Sequence, residues 1–330
     1  MPKFVGVEPL LRLRSSLLIL AVAGFSAIAQ AQAASAPATG CADAAASDSF
    51  LGVSTIRLWP GDAPGATGTS CDDIPTLSVM RPQAGLENGS AVVVMPGGAY
   101  RGLSGILEGR EIADWFTAHG FVAFVLHYRL GKKYLLPVPL VDARRAVQVV
   151  RARARDYHVA PDRIAVIGFS AGGHLAALAS VQSVPGNPDA EDPMERVSSR
   201  PDVTILGYPW IGAISSNTAH LTYCKVMEVM DRCEELRKAY SPDLFVSKET
   251  PPTFIYHTTD DATVPVEQAV LYYNALLAAG VSAELHIFAH GAHGSGLGKG
   301  NAVLDQWPGL LESWLRERGL LDVDKAAVSR

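Results

Sequence analysis

Residues 163–173 read Arg-Ile-Ala-Val-Ile-Gly-Phe-Ser-Ala-Gly-Gly: an apolar, β-branched run that ends at Gly168-Phe169-Ser170-Ala171-Gly172 and continues into an Ala/Leu-rich helical pattern. A serine on so sharp a strand-to-helix turn sits at a strained backbone position. Only small residues two places before and after it, here Gly168 and Gly172, let strand and helix approach closely enough. The run therefore predicts a nucleophile elbow, with Ser170 exposed above a sheet. The five-residue motif is weak evidence alone, and the strand and helix patterns on either side give it weight.

The same alternation extends along the chain. Candidate strands at 91–95, 121–127, 163–167, 203–207, 253–257 and 283–288 are interleaved with helical patterns at about 109–119, 139–156, 172–181, 266–279 and 307–318. Repeated βαβ units imply an α/β fold with a mostly parallel twisted sheet and helices on both faces. Segments 53–59 and 75–81 are expected to add antiparallel edge strands. The last helix sets Trp307, Leu310, Leu311, Trp314 and Leu315 on one core-facing side, with Pro308 tolerated in its first turn. Residues 182–200 and 212–245 lack the alternation and are expected to be insertions that cover the site.

The first 33 residues carry Lys3, Arg12 and Arg14, then the apolar run 17–23, then Ala29-Gln30-Ala31-Gln32-Ala33. This is the pattern of a secretory signal peptide cleaved after Ala31 or Ala33. Ser26 and Gln30 interrupt the run before the roughly 20 residues that a membrane span needs. Residues 34–48, rich in Ala and Ser, read as a disordered lead-in, and 49–330 as a single α/β domain with no internal repeat or linker. The expected location is periplasmic or secreted. The formal charge is −5, and loss of the leader makes the chain more acidic, which argues against nucleic acid as a partner. The basic residues Lys132, Lys133, Arg144, Arg145, Arg151, Arg153 and Arg155 read as a solvated helix face beside the apolar stripe Leu140, Ala143, Val147, Val150 and Ala154.

The cysteines are Cys41, Cys71, Cys224 and Cys233. In an exported chain two disulfides are expected, and pairing 41 with 71 and 224 with 233 is the simplest of three connectivities. Nine residues of straight helix would separate Cys224 and Cys233 by about 13 Å, so a bond between them requires the chain to turn back. Neither the cysteines nor the histidines show metal-ligand spacing.

A serine hydroxyl needs a base to take its proton, and the base needs a carboxylate to hold its tautomer. After the strand 253–257 comes Asp260-Asp261-Ala262-Thr263-Val264-Pro265, and after the last strand comes His290-Gly291-Ala292-His293-Gly294. The order Ser170, Asp, His is that of the α/β-hydrolases. Asp261 is preferred to Asp260 for its spacing to Val264-Pro265, and His293 to His290 for its small neighbours. His257 and His174 are read as buried beside the site without reacting. The Gly-rich turn Pro96-Gly97-Gly98-Ala99-Tyr100 follows the strand 91–95, where the N–H groups of Gly98 and Ala99 can converge with that of Ala171 on an oxyanion.

On these residues, together with Glu108-Gly109, Asp162-Arg163-Ile164, Gly173-His174, Arg200-Pro201-Asp202, Tyr208-Pro209, Tyr240-Ser241-Pro242 and Pro251-Pro252-Thr253-Phe254, the chain resembles the secreted acetyl-xylan-esterase-like carboxylesterases of the α/β-hydrolase superfamily. That family usually shows a third glycine where Ala99 stands and a histidine where Leu107 stands. The resemblance implies a cofactor-free serine esterase acting on short-chain, acetyl esters of carbohydrate or plant-polysaccharide fragments. Tyr100, Tyr134, Tyr208 and Trp210 are left as either sugar-stacking or packing residues. The alternatives are a serine peptidase, for which no extra domain is seen, a lipase-like esterase, and a non-catalytic binding protein, against which the complete triad weighs.

Overall fold

The structure is a computed structural model that describes residues 54–212, 224 and 228–322. The expected leader 1–33, the expected lead-in 34–48 and Cys41 lie outside the described residues, as does most of 213–227. Eight strands form one sheet: β1 (Ser54–Arg57), β2 (Thr76–Met80), β3 (Ala91–Met95), β4 (Val122–His127), β5 (Ile164–Phe169), β6 (Val203–Gly207), β7 (Thr253–Thr258) and β8 (Ala283–Phe288). Their order is β1-β2-β4-β3-β5-β6-β7-β8. The β1–β2 and β2–β4 pairs are antiparallel and every other pair is parallel. Each expected strand is present, and the two early ones are the antiparallel edge.

The central strands are continuous apolar runs because both faces of a parallel sheet are covered. Side chains of a strand alternate between faces. Val93, Met95, Phe124 and Val166 therefore pack with Leu140, Leu175 and Tyr272 from α2 (Val138–Ala152), α3 (Ala171–Val181) and the later helix Glu267–Ala278. Val92, Val94, Ala123 and Ile167 pack on the other side with Ile112, Phe116, Trp307 and Trp314, from α1 (Glu111–Ala118) and the last helix Trp307–Glu317. The helix Cys233–Tyr240, in a stretch read only as an insertion, is α4; the two later helices are α5 and α6.

Strand order reverses at β3. The chain leaves β3 toward β4 and then crosses back to β5, so the turns that follow β3 and β5 diverge and leave a crevice at the carboxyl ends of the two strands. Gly97 and Ser170 sit in those two turns.

Three expectations are corrected here. Segment 182–200 does not cover the site. α3 carries the chain away from Ser170, and 182–200 then returns to the amino-terminal end of β6, at the opposite end of the sheet. There Gln148 Nε2 donates to the Val197 carbonyl (3.0 Å) and Arg151 Nη1 to that of Ser198 (2.5 Å), while Ile164 N–H, at the start of β5, donates to Asp202 (2.9 Å). Arg145 is not on a solvated face: it is buried, paired with Asp192 at 2.5 Å and donating from Nε to the Leu58 carbonyl at 2.9 Å. A remote segment closes over it, which helical periodicity cannot foresee. Leu310 is exposed, whereas Trp307, Leu311, Trp314 and Leu315 are buried, because the apolar face of α6 is narrower than the run of apolar residues suggests.

Cys224 and Cys233 are disulfide-bonded, with Cα atoms 5.6 Å apart. The chain turns back between them at Glu228, which has φ +57°, and through a 3₁₀ turn at Met230–Arg232. Cys71 is also disulfide-bonded, and Cys41, its expected partner, lies outside the described residues. Among the described residues no helix is long and apolar enough to cross a membrane.

Candidate active site

Ser170 has φ +53° and ψ −120°, a conformation costly for an L-residue and held here by its surroundings. Its N–H donates to the Gly207 carbonyl (3.1 Å), and its carbonyl accepts from the N–H groups of His174 (3.0 Å) and Trp210 (3.1 Å). The glycines of the elbow are required by space. A Cβ on Gly168 would lie 2.1 Å from the Gly172 carbonyl oxygen, and one on Gly172 would lie 2.0 Å from that of Met95.

The loops after β7 and β8 bring the other two groups to the serine. His293 Nε2 is 2.8 Å from Ser170 Oγ, and His293 Nδ1 is 2.7 Å from Asp261 Oδ2. A carboxylate only accepts, so Nδ1 carries the proton and Nε2 is the nitrogen that accepts the Ser170 hydroxyl. Asp261 Oδ1 accepts the N–H groups of Thr263 (2.8 Å) and Val264 (2.9 Å), which fixes the carboxylate. Burial pushes the Asp261 pKa up, but the hydrogen bonds from His293, Val264 and Thr263 outweigh it and leave the carboxyl below its ordinary value.

The neighbouring pair is different. Asp260 accepts the Gly291 N–H (2.8 Å) and lies 3.0 Å from His290 Nδ1, with the Asp260 side chain 50% exposed and that of His290 83% exposed. The structure thus brings Asp261 and His293 to Ser170 and leaves Asp260 and His290 on the rim. His257 is buried, and burial lowers its pKa. Among the described residues no group of His, Cys, Asp and Glu is arranged to hold a metal.

The turn after β3 lies against the elbow. Gly98, Ala99 and Tyr100 have φ of +136°, +55° and +57°, and a Cβ on Gly97 would sit 2.6 Å from the Phe169 carbonyl and 3.0 Å from Ser170 Cβ. The Gly98 carbonyl closes the turn by accepting from Arg101 N–H at 2.9 Å. Among the described residues the N–H groups of Gly98 and Ala99 have no acceptor. The Ala171 N–H opens α3 and by position has no acceptor within the helix.

Of the four aromatic residues left open, Tyr100, Tyr134 and Tyr208 are packing residues, whereas Trp210 is nearly buried and lines a pocket. Tyr100 is buried and hydrogen-bonded to His174 Nδ1 (2.7 Å), while His174 Nε2 donates to the Tyr240 carbonyl (2.7 Å). The Trp210 ring lies 4.2 Å from that of His174. Tyr134 is buried against Asp73 and Thr67. Tyr208, with φ +35°, sets its ring edge-on to His293 at 5.0 Å. Leu136, His174, Trp210, Gly212, Leu236, Tyr240 and Ser241 line a small pocket, and two of them, His174 and Trp210, are the residues whose N–H groups bond the Ser170 carbonyl.

Sequence reading noted Glu108 only as part of a pattern, yet it is buried behind the turn, with Oε2 accepting the Gly97 N–H (2.7 Å) and Oε1 the Tyr208 hydroxyl (2.7 Å). The available signal was a carboxylate inside the apolar run Gly105-Ile106-Leu107-Glu108-Gly109, which forms a π-helical turn.

Comparison with known proteins agrees with this architecture. The BD-FAE family model matches residues 77–276. The acetylxylan esterase of Xylanibacter ruminicola is 33% identical over 69% of this chain and 46% of that protein. The chain spans less than half the length of this and two other curated relatives that it matches. Among solved structures, an acetyl ester-xyloside bifunctional hydrolase from Caldicellulosiruptor lactoaceticus superposes with a TM-score of 0.73 at 37% identity, covering 81% of this chain and 97% of that one. A thermophilic esterase of Thermogutta terrifontis, with propionate bound, gives a TM-score of 0.65 at 26% identity, covering 83% and 97%. With the elbow, the sheet order and these matches together, the chain belongs to the BD-FAE family, as an acetyl-xylan-esterase-like α/β-hydrolase.

Proposed function

We propose that this chain is an exported serine carboxylesterase that removes short acyl groups, above all acetyl, from carbohydrate or plant-polysaccharide fragments. The observation that carries the reading is the Ser170–His293–Asp261 line of hydrogen bonds, at 2.8 and 2.7 Å, on a strained elbow facing unengaged backbone N–H groups. Ser170 Oγ attacks the ester carbonyl carbon as His293 Nε2 takes the hydroxyl proton. The carbonyl oxygen gains the negative charge and is held by the N–H groups of Gly98, Ala99 and Ala171. Collapse breaks the C–O bond to the alcohol, which leaves with the proton that His293 returns. Water then repeats the sequence on the acyl-enzyme. Asp261 keeps His293 in the reactive tautomer and stabilises the imidazolium.

The substrate class draws on the relatives that act on acetyl esters. The polar 182–200 segment gives it no support, since it lies at the far end of the sheet. One observation favours a lipase-like alternative: Ile106 and Leu107 are exposed, and Leu107 lies against Gly296 of the loop that carries His293, an apolar rim where relatives usually hold a histidine.

A fluorophosphonate probe should label Ser170 stoichiometrically and should fail to label Ser170→Ala; labelling elsewhere in active protein overturns the mechanism. Acetate esters of p-nitrophenol should exceed octanoate esters in kcat/KM by at least about 10-fold, because each methylene is worth only about 1–3 kcal/mol of discrimination. Equal or faster octanoate turnover moves the assignment to the lipase-like reading. Amino-terminal sequencing of the exported protein checks cleavage after Ala31 or Ala33.

A further inference from the structure

The environment of Glu108 exceeds what the triad mechanism uses. Its two carboxylate oxygens take one donor each, and the two donors belong to different parts of the site. Oε2 accepts the Gly97 N–H, and Gly97 is wedged between Glu108 and the nucleophile, since a Cβ there would lie 2.8 Å from Oε2 and 3.0 Å from Ser170 Cβ. Oε1 accepts the Tyr208 hydroxyl, which itself accepts the Gly296 N–H at 3.1 Å. The Gly296 carbonyl is held from its other side by Tyr256 Oη (2.8 Å) and Trp307 Nε1 (3.1 Å). Gly296 stands three residues after His293, and the Tyr208 ring backs the imidazole.

We infer that Glu108 is a positioning residue, whose carboxylate ties the oxyanion turn at Gly97 to the His293 loop through Tyr208 and so holds donors, nucleophile and base in register. The inference rests on the esterase reading above. A buried carboxylate is an expensive way to fill this space. Desolvation pushes the Glu108 pKa up, against the pull of Tyr208, Gly97 and His293. The titratable groups that face it are Tyr208, Tyr256, Tyr128 and His293. A glutamine has the same shape and no charge to desolvate, but it offers one acceptor oxygen where Gly97 and Tyr208 each need one. The carboxylate therefore serves the geometry of the site at the expense of the fold.

The test compares wild type, Glu108→Gln and Tyr208→Phe by steady-state kinetics on p-nitrophenyl acetate and by thermal unfolding between pH 5 and 8. Misplacing oxyanion donors by a fraction of an ångström lowers turnover rather than binding. Glu108→Gln should lower kcat by about 10- to 100-fold with KM changed by less than about 3-fold, while its Tm at pH 8 holds or rises. For a carboxylate whose folded pKa is raised, the folded state holds the extra proton. Wild type should therefore lose Tm relative to Glu108→Gln as pH rises from the ordinary glutamate value through the raised one. Tyr208→Phe, which removes the donor to Oε1 and keeps the carboxylate, should also lower kcat with little change in KM, and it decides the matter if Glu108→Gln does not fold. Turnover within about 3-fold of wild type in the folded variants overturns the inference, as does a fall in kcat that tracks Tm and disappears on cooling. Active wild type with unaffected variants refutes only the role of Glu108, whereas wild type that neither turns over ester nor takes the fluorophosphonate refutes the esterase reading with it.

Discussion

Asp260 and Asp261 follow β7 side by side, and the environment of each decides what it can do. Asp261 points inward, with a fully buried side chain, three hydrogen bonds and a pKa held down against burial. Asp260 points outward and serves as a clasp for Gly291 and His290, and the Gly291 N–H leads the interactions that lower its pKa. Asp261→Asn should reduce kcat by on the order of 10⁴, because the amide favours the wrong imidazole tautomer. Asp260→Asn should cost less than about 10-fold, since it touches neither Ser170 nor His293. The check is kcat on p-nitrophenyl acetate, and the reverse ranking transfers the carboxylate role to Asp260. The same residue sets part of the acid limb of stability. With a folded pKa below the unfolded value, Asp261 contributes stability above about pH 4, which is lost as pH falls through its lowered value. Asp261→Asn should flatten that limb in Tm measurements at low pH.

At the scale of elements the elbow is the tightest junction. β5 and α3 meet where Gly172 faces the backbone of Met95 and Pro96, so the β3 turn, β5 and α3 share one contact point. None of these neighbours is the flexible end of a side chain, so Gly172→Ala should destabilise by about 2–3 kcal/mol or more. Gly309 makes the contrast: it lies in α6, is exposed, and has nothing within 4 Å of its would-be Cβ. Gly309→Ala should stabilise by about 0.5–1 kcal/mol through helix propensity. Urea unfolding of the two variants measures both, and equal effects would mean that the elbow is less rigid than its contacts require.

For the whole molecule, the two cores on either face of the sheet are supplemented by cross-links between remote segments. Arg129 is buried against Asp142 at 2.6 Å and donates to the Pro64 carbonyl at 2.8 Å, while Arg145 holds the Leu58 carbonyl. The Trp59 ring lies against both guanidinium groups. The strap after β1 is thereby fastened over the start of α2. The Cys224–Cys233 disulfide closes a loop of sequence separation 9, which on a chain-entropy account adds about 2.5 kcal/mol by restricting the unfolded chain. Complete reduction should lower the urea midpoint accordingly, and an unchanged midpoint with all thiols titrated would remove the disulfides from the stability account.

Local chemistry determined a large part of this protein. Runs such as Ala91–Met95 and Val203–Gly207 can be little other than buried parallel strands, and a serine between Gly168 and Gly172 has one sharp turn to occupy. The order of Ser170, Asp261 and His293 along those strands then predicts which loops meet. What sequence could not decide depends on segments far apart in the chain. Topology alone sends 182–200 to the end of the sheet away from Ser170, because a helix that starts at the carboxyl end of one parallel strand must finish near the amino end of the next. Arg145 reads as solvated until Asp192 and Leu58 close over it, and Tyr100 reads equally as a sugar platform until the fold buries it with its hydroxyl on His174. Glu108 stands out in the sequence only as part of a pattern, and only the folded chain brings the Gly97 N–H and the Tyr208 hydroxyl to its two oxygens. Periodicity records which face of an element is apolar; the partners that satisfy a buried charge come from elsewhere in the chain and exist only once it has folded.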